Sequence, residues 1–243
     1  MSWIRVALLC LCCGIAFAQE IPAGTVIPVM LSTTLKSKQE NAGQKIEGKV
    51  MQEVPLPGSA KIEQGARISG RIVKVEDTPS GSMITLHFDQ LEDSGHSMPV
   101  TVRLLAVASM ATVAEAQSPV NSNRDSENNW VTRQVGGDVV KRGQGKAFSR
   151  AGETGRWLHG SAVMMKLAPM PELGCPSGAG YDREQALWIF SSGACGAYGW
   201  KNVTIDRGAK TAGAIVLRST EKVEIRGGSG WLLITSDSMP PAP

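Results

Sequence analysis

Apolar and polar residues alternate with a period of two along the first half of the chain. In residues 45–54, Ile46, Val50 and Val54 share one parity, while Lys45, Glu47, Lys49 and Glu53 hold the other. Ile84, Leu86 and Phe88 alternate with Thr85, His87 and Asp89, and Val100, Val102 and Leu104 alternate with Thr101 and Arg103. Successive strand side chains point to opposite faces, so this pattern predicts half-buried strands of an antiparallel sheet. Ile46, Val50, Ile68, Ile84, Leu86, Phe88, Val102 and Leu104 are expected to share one core. Within 66–76 the phase slips: Ile68 and Ile72 share one parity, Val73 and Val75 the next. A slip of that kind predicts a β-bulge, for which Gly70 is the expected site. Turn signals at Asn41-Ala42-Gly43, Pro55-Leu56-Pro57-Gly58, Thr78-Pro79-Ser80-Gly81 and Asp93-Ser94-Gly95 separate these segments.

The pattern changes after residue 108. Residues 109–116 read as a short helix, and 117–129 carry Pro, Ser, Asn and charges with little to bury. Strand periodicity returns at 162–167, 187–190, 203–205 and 214–217. Residues 222–226 and 231–235 flank Gly227-Gly228-Ser229-Gly230, which predicts a β-hairpin. The chain is therefore expected to be all-β: a small antiparallel barrel or sandwich followed by a second β-rich, disulfide-closed module. The expected boundaries are a signal peptide at 1–18, an N-terminal β-domain at 19–108, a linker or long surface loop at 109–130, a C-terminal β-rich module at 131–238 and a disordered tail at 239–243.

The signal peptide rests on a short positive start ending at Arg5, an apolar run over 6–15 and the small-residue site Ala16-Phe17-Ala18. That run falls short of the roughly 20 residues a spanning helix needs, so no membrane-spanning segment is expected after cleavage near Gln19. The expected location is the periplasm or the medium. Of the five cysteines, Cys10, Cys12 and Cys13 fall in the leader, which leaves Cys175 and Cys195. In an oxidising compartment this isolated pair predicts a disulfide, whose loop closure would stabilise the fold by roughly 3 kcal/mol.

Composition narrows the functional classes. Hydrophobic residues make up 42% against 19% charged, which excludes a wholly disordered chain. Lys+Arg number 25 against 22 Asp+Glu, and the two signs interleave, so no nucleic-acid partner is expected. No Gly-x-Ser-x-Gly elbow or His-Glu-x-x-His motif is present, and Val140 stands where a phosphate loop ending at Gly145-Lys146 would need its leading glycine. With His87, His96 and His159 widely spread, no metal site, cofactor or catalytic residue is assigned. His87 and Asp89 project from one face of a predicted strand; a solvated face is the favoured reading over a proton relay or metal half-site. Tyr181, Trp188, Phe190, Tyr198 and Trp200 surround the cysteine pair. Trp188 and Phe190 are expected in the core, and Tyr181, Tyr198 and Trp200 are the candidate ligand or partner contacts.

The run Ile21-Pro22-Ala23-Gly24-Thr25-Val26-Ile27-Pro28 resembles the start of the β-domain of TrbI-type channel-scaffold subunits of type IV secretion and conjugation systems. The likeness continues through 43–54 and Ile62-Glu63-Gln64-Gly65-Ala66-Arg67-Ile68-Ser69-Gly70-Arg71, and reaches the strand at 84–91. It implies a related barrel-like domain. Family members are generally held in the inner membrane by an N-terminal helix, whereas here a cleavable signal leads straight into the β-domain. The last third, 173–235, resembles accessory β-modules of exported bacterial proteins of unknown role. The expected function is a non-enzymatic binding or assembly module of a bacterial envelope, with an envelope protein or glycan as partner. The alternative is a carbohydrate-binding or cryptic hydrolytic domain centred on the aromatic residues around Cys175 and Cys195.

Overall fold

The computed structural model describes residues 21–37, 41–120, 130–137, 139–143, 145–149, 152–158, 161–168, 175, 180–208 and 211–236. The signal peptide, residues 121–129 of the expected linker and the expected tail lie outside the described residues. The fold is all-β, with one helix among the described residues.

Eight strands precede the largely apolar run at 102–108: β1 (Val26–Leu31), β2 (Leu35–Lys36), β3 (Lys45–Val50), β4 (Val54–Pro55), β5 (Lys61–Ile62), β6 (Arg67–Thr78), β7 (Gly81–Asp93) and β8 (His96–Pro99). That run is β9 (Val102–Ala108), followed by helix α1 (Met110–Gln117). The side chain of Ser109, expected as the first residue of the helix, instead caps α1 by accepting the Thr112 amide. A second series comprises β10 (Trp130–Arg133), β11 (Val139–Gly143), β12 (Lys146–Ser149), β13 (Gly152–Trp157), β14 (Val163–Lys166) and β15 (Glu184–Ala186). The chain ends with β16 (Gly196–Tyr198), β17 (Val203–Asp206), β18 (Ile215–Ser219), β19 (Glu224–Ile225) and β20 (Gly230–Thr235).

The main sheet runs β16-β9-β20-β1-β3-β6-β7-β18-β17, with β8 beside β7. Its end strands β16 and β17 approach each other, so it forms a nearly closed barrel. Arg207, just past β17, donates to the carbonyls of Leu104 (3.5 Å) and Leu105 (3.0 Å) on β9, tying the two sides of the seam. The sheet draws strands from both 19–108 and 131–238. The second sheet, β10 through β15 in chain order, is an antiparallel meander.

Two apolar clusters explain the layering. The eight residues expected to share a core do so, inside the barrel, together with Trp231, whose ring meets Phe88 edge-on at 5.9 Å. The second cluster lies between the barrel wall and the second sheet, and includes Ala106, Leu232 and Ile234 on one side and Val140, Ala147 and Met165 on the other. Strand β20 serves both: Trp231 and Leu233 enter the barrel, while Leu232 and Ile234 face the second sheet. A strand buried on both faces reads as an unbroken apolar run, and Trp231-Leu232-Leu233-Ile234 is one.

Three local expectations are corrected. Residues 222–226 and 231–235 are not hairpin partners: β19 pairs with β2, and β20 with β1 and β9. Gly227 to Ser229 form a corner at which β19–β20 and β1–β2 bend together, the Gly228 amide donating to the Leu31 carbonyl at 2.7 Å. The sheet passes around this corner with its strand pairing continued, so the glycines serve close approach and not chain reversal. The register does shift at Ser69/Gly70, where Asp89 is the extra residue on β7, but the phase slip in β6 is made by a second shift at Val73. Val73 is 51% exposed while Ile72 and Val75 are buried on either side. Finally, 187–190 is a turn, described next.

Candidate functional site

The junction between barrel and second sheet is organised around a buried turn at 187–190. All four of Leu187, Trp188, Ile189 and Phe190 are buried, and the Phe190 amide closes the turn on the Leu187 carbonyl at 2.8 Å. Burial of every side chain gave these residues a strand-like sequence pattern. Trp188 takes φ +50°, a left-handed conformation that costs a bulky residue about 1–3 kcal/mol and persists only where surroundings enforce it.

The enforcement comes from glutamines. Gln52, on the barrel and 1% exposed, accepts the Trp188 amide at 2.8 Å and donates to the Val163 carbonyl and the Met164 sulfur, each at 3.1 Å. Gln134 donates to the Phe190 carbonyl at 3.2 Å. Gln185 accepts the Val26 amide at 3.1 Å and donates to the carbonyls of Gly24 (3.1 Å) and Gly180 (2.6 Å). A buried amide is tolerated when its donors and acceptor are satisfied, and these side chains bridge segments far apart in sequence. Of these three glutamines, Gln52 and Gln185 cross from barrel to second sheet. The sequence does not single them out, since a glutamine beside a glutamate carries no local mark of burial.

Beside the turn an open cleft of about 580 Å³ is lined by Met51, Gln52, Glu63, Gln64, Gln117 and Trp188, among others. Glu53, also on its wall, shares Lys61 with Glu63, at 2.7 and 3.1 Å. Hydrogen bonds donated to both carboxylates push the Lys61 ammonium up from its ordinary pKa.

Cys175 and Cys195 stand at disulfide-bonding distance, with 6.2 Å between their Cα atoms. Arg207 reaches the Cys195 sulfur at 2.9 Å, so the pair is joined to the barrel seam. The Tyr198 hydroxyl accepts the Cys195 amide (3.0 Å) and donates to its carbonyl (3.2 Å). Of the three candidate contacts, Tyr181 and Tyr198 pack partly buried on the second cluster and Trp200 on the barrel core. Burial pushes the Tyr181 phenol up, against the opposing pull of the Arg103 and Arg207 guanidiniums. Trp188 and Phe190 both lie in the core, as expected.

His87 and Asp89 do meet, at 3.0 Å, and Arg71 joins the same carboxylate at 3.2 Å, on an exposed strand face. Among the described residues no group of three or more His, Cys, Asp or Glu gathers as a metal site. No helix among them is long and apolar enough to cross a membrane. Comparison with protein-family models finds no match, and neither does a search of curated proteins.

Proposed function

We propose that this chain is an exported bacterial envelope protein that works as a binding or assembly module. The observation that carries the reading is the closed Cys175–Cys195 pair, anchored through Arg207 to the seam of the barrel. Such bonds persist in oxidising compartments, and this one agrees with the leader read at 1–18. The resemblance of 21–91 to TrbI-type β-domains supports an assembly role within a larger envelope apparatus. The rigid junction supports a binding role, because a cleft walled by residues locked in place presents a preorganised surface.

Cell fractionation with mass spectrometry under non-reducing conditions tests the placement. The expected species is an envelope form starting near Gln19 with no free thiol; a cytoplasmic chain retaining its leader, with two free thiols at 175 and 195, refutes export. A photo-crosslinking residue at Gln64, on the cleft wall, tests binding in intact cells. A discrete protein adduct is expected. Absence of any adduct refutes the cleft as the contact, and adducts with glycan alone favour the carbohydrate-binding alternative.

A further inference from the structure

Charge is unevenly distributed along this chain. Residues 130–168 hold seven Lys and Arg against two Asp and Glu, whereas 21–120 hold nine against ten. In sequence the cations of 130–168 show no period, but the register of the second sheet brings five of the seven to one face. Partners across adjacent strands share a face. Val131 is opposite Lys141, Lys141 opposite Phe148, Lys146 opposite Arg156, and Lys166 opposite Glu184. The register shift between Ala147 and Phe148 leaves Thr154 as an extra residue, which keeps Arg156 on the face of Lys146. Arg133, Lys141, Lys146, Arg156 and Lys166 thus lie on one face, and all five are exposed. Arg156 is opposite Met164, which with Ala186 is buried on that same face, so the open part of the face is β10–β13, with Lys166 at its margin. The opposite face, with Thr132, Val140, Ala147, Met165 and Gln185, is buried.

Two features of the cationic face bear on its use. Lys146 and Arg156 are directly opposed, a like-charge pairing that destabilises a sheet unless something else is gained. Lys146, Arg156 and Arg133 have carboxylate neighbours in Glu153, Glu184 and Glu115, but Lys141 and Lys166 have no ion-pair partner among the described residues. The half-buried apolar side chains Val131 and Phe148 sit in the row of Lys141. Strands β10–β13 at the usual spacing give an open surface about 14 Å wide.

From this placement we propose that the outer face of the second sheet docks on the anionic headgroup surface of a phospholipid bilayer. Broad, shallow charge with apolar side chains among the cations matches a planar array of headgroup phosphates over an acyl boundary. A nucleic acid or a sulfated glycan is instead an outcome that refutes it. The inference deepens the envelope reading by naming a partner surface, and rests on that reading only for which bilayer is meant.

The experiment uses the mature full-length chain in vesicle co-sedimentation, with pure phosphatidylcholine against phosphatidylcholine containing phosphatidylglycerol. Binding is expected only to the anionic vesicles and should fall with added salt, since surface charge is screened within a Debye length. The triple variant Lys141→Gln, Lys146→Gln, Arg156→Gln should weaken it by about tenfold or more. Lys45→Gln, Lys222→Gln, Arg226→Gln is the matched control: it also removes three cations, two of them ion-paired, but from β3 and from either side of β19. The control should bind as the parent does. Equal loss in both variants, equal binding to neutral vesicles, no binding to anionic ones, or preferential capture by DNA or heparin at the same salt each overturns the proposal. If the face variant does not fold, the lipid and salt dependence of the parent chain decides alone. A cytoplasmic location would refute export while leaving this test intact.

Discussion

Replacing Gln52 by leucine isolates the contact on which the junction depends. The side chain is fully enclosed, and its oxygen is the acceptor for the Trp188 amide at 2.8 Å. Leucine fills most of the volume but leaves that amide buried without a partner, which costs about 1–3 kcal/mol. The donor side matters less: the Val163 carbonyl keeps the Leu187 amide at 2.9 Å, and the Met164 sulfur is a weak acceptor. Since the same amide holds Trp188 at φ +50°, its loss also frees a strained turn, so we expect a total loss of about 2–3 kcal/mol. Urea denaturation followed by tryptophan fluorescence measures it. Gln52→Glu sharpens the test, because it retains an acceptor while placing an ionisable group in the same buried site. Burial raises the carboxyl pKa, so the folded chain holds a proton that the unfolded chain releases above about pH 4.3. The variant's stability is therefore fully present below that value and is lost as pH rises through the raised folded-state value. A leucine variant within about 0.5 kcal/mol of the parent, or a glutamate variant insensitive to pH, would show that the amide does not hold the turn.

Three further outcomes follow from the same packing. Gly70→Ala should cost about 3 kcal/mol or more, because a Cβ there runs into the His87 carbonyl and the Phe88 backbone, while Gly43→Ala, strained at φ +84° but facing open space, should cost about 1–2 kcal/mol; thermal melts order the two. Cys195→Ser should lower stability by about 3 kcal/mol under non-reducing conditions, and by much less when parent and variant are compared with reductant present. Residues 19–108 produced alone lack β20 between β1 and β9 and β18 beside β7, so they should bind a hydrophobic dye and unfold without a cooperative transition; a sharp calorimetric peak from that fragment would contradict the shared sheet.

Much of the strand content was legible because burial of one face leaves a local, periodic trace. The alternation of Ile84, Leu86 and Phe88 reports a barrel wall without reference to any partner. The short helical run at 109–116, and Ser94-Gly95 between β7 and β8, likewise carry conformational preferences of their own: both residues of that turn have positive φ, at 49° and 81°. The cysteine pair was legible by elimination, as two residues left over once the leader was set aside.

Pairing was not legible, because a strand's own pattern is the same whichever neighbour it takes. Gly227-Gly228-Ser229-Gly230 has hairpin chemistry, yet β20 finds its partners some 200 residues upstream at β1, with Thr25 and Thr235 joined across 210 positions. The buried turn at 187–190 shows the same limit from the other side: uniform burial removes periodicity, and four enclosed apolar residues look alike as strand or turn. Gln52 and Gln185 look like surface residues until the second sheet closes over them. Five of the seven cations of 130–168, scattered in sequence, reach one face only through the register and one extra residue in β13. Sequence by itself determined which residues must leave water and where the chain prefers to turn, since both are local free energies. Tertiary structure decided which buried surfaces meet, which amides are satisfied and which charges stand together, since those depend on contacts between segments that no local pattern encodes.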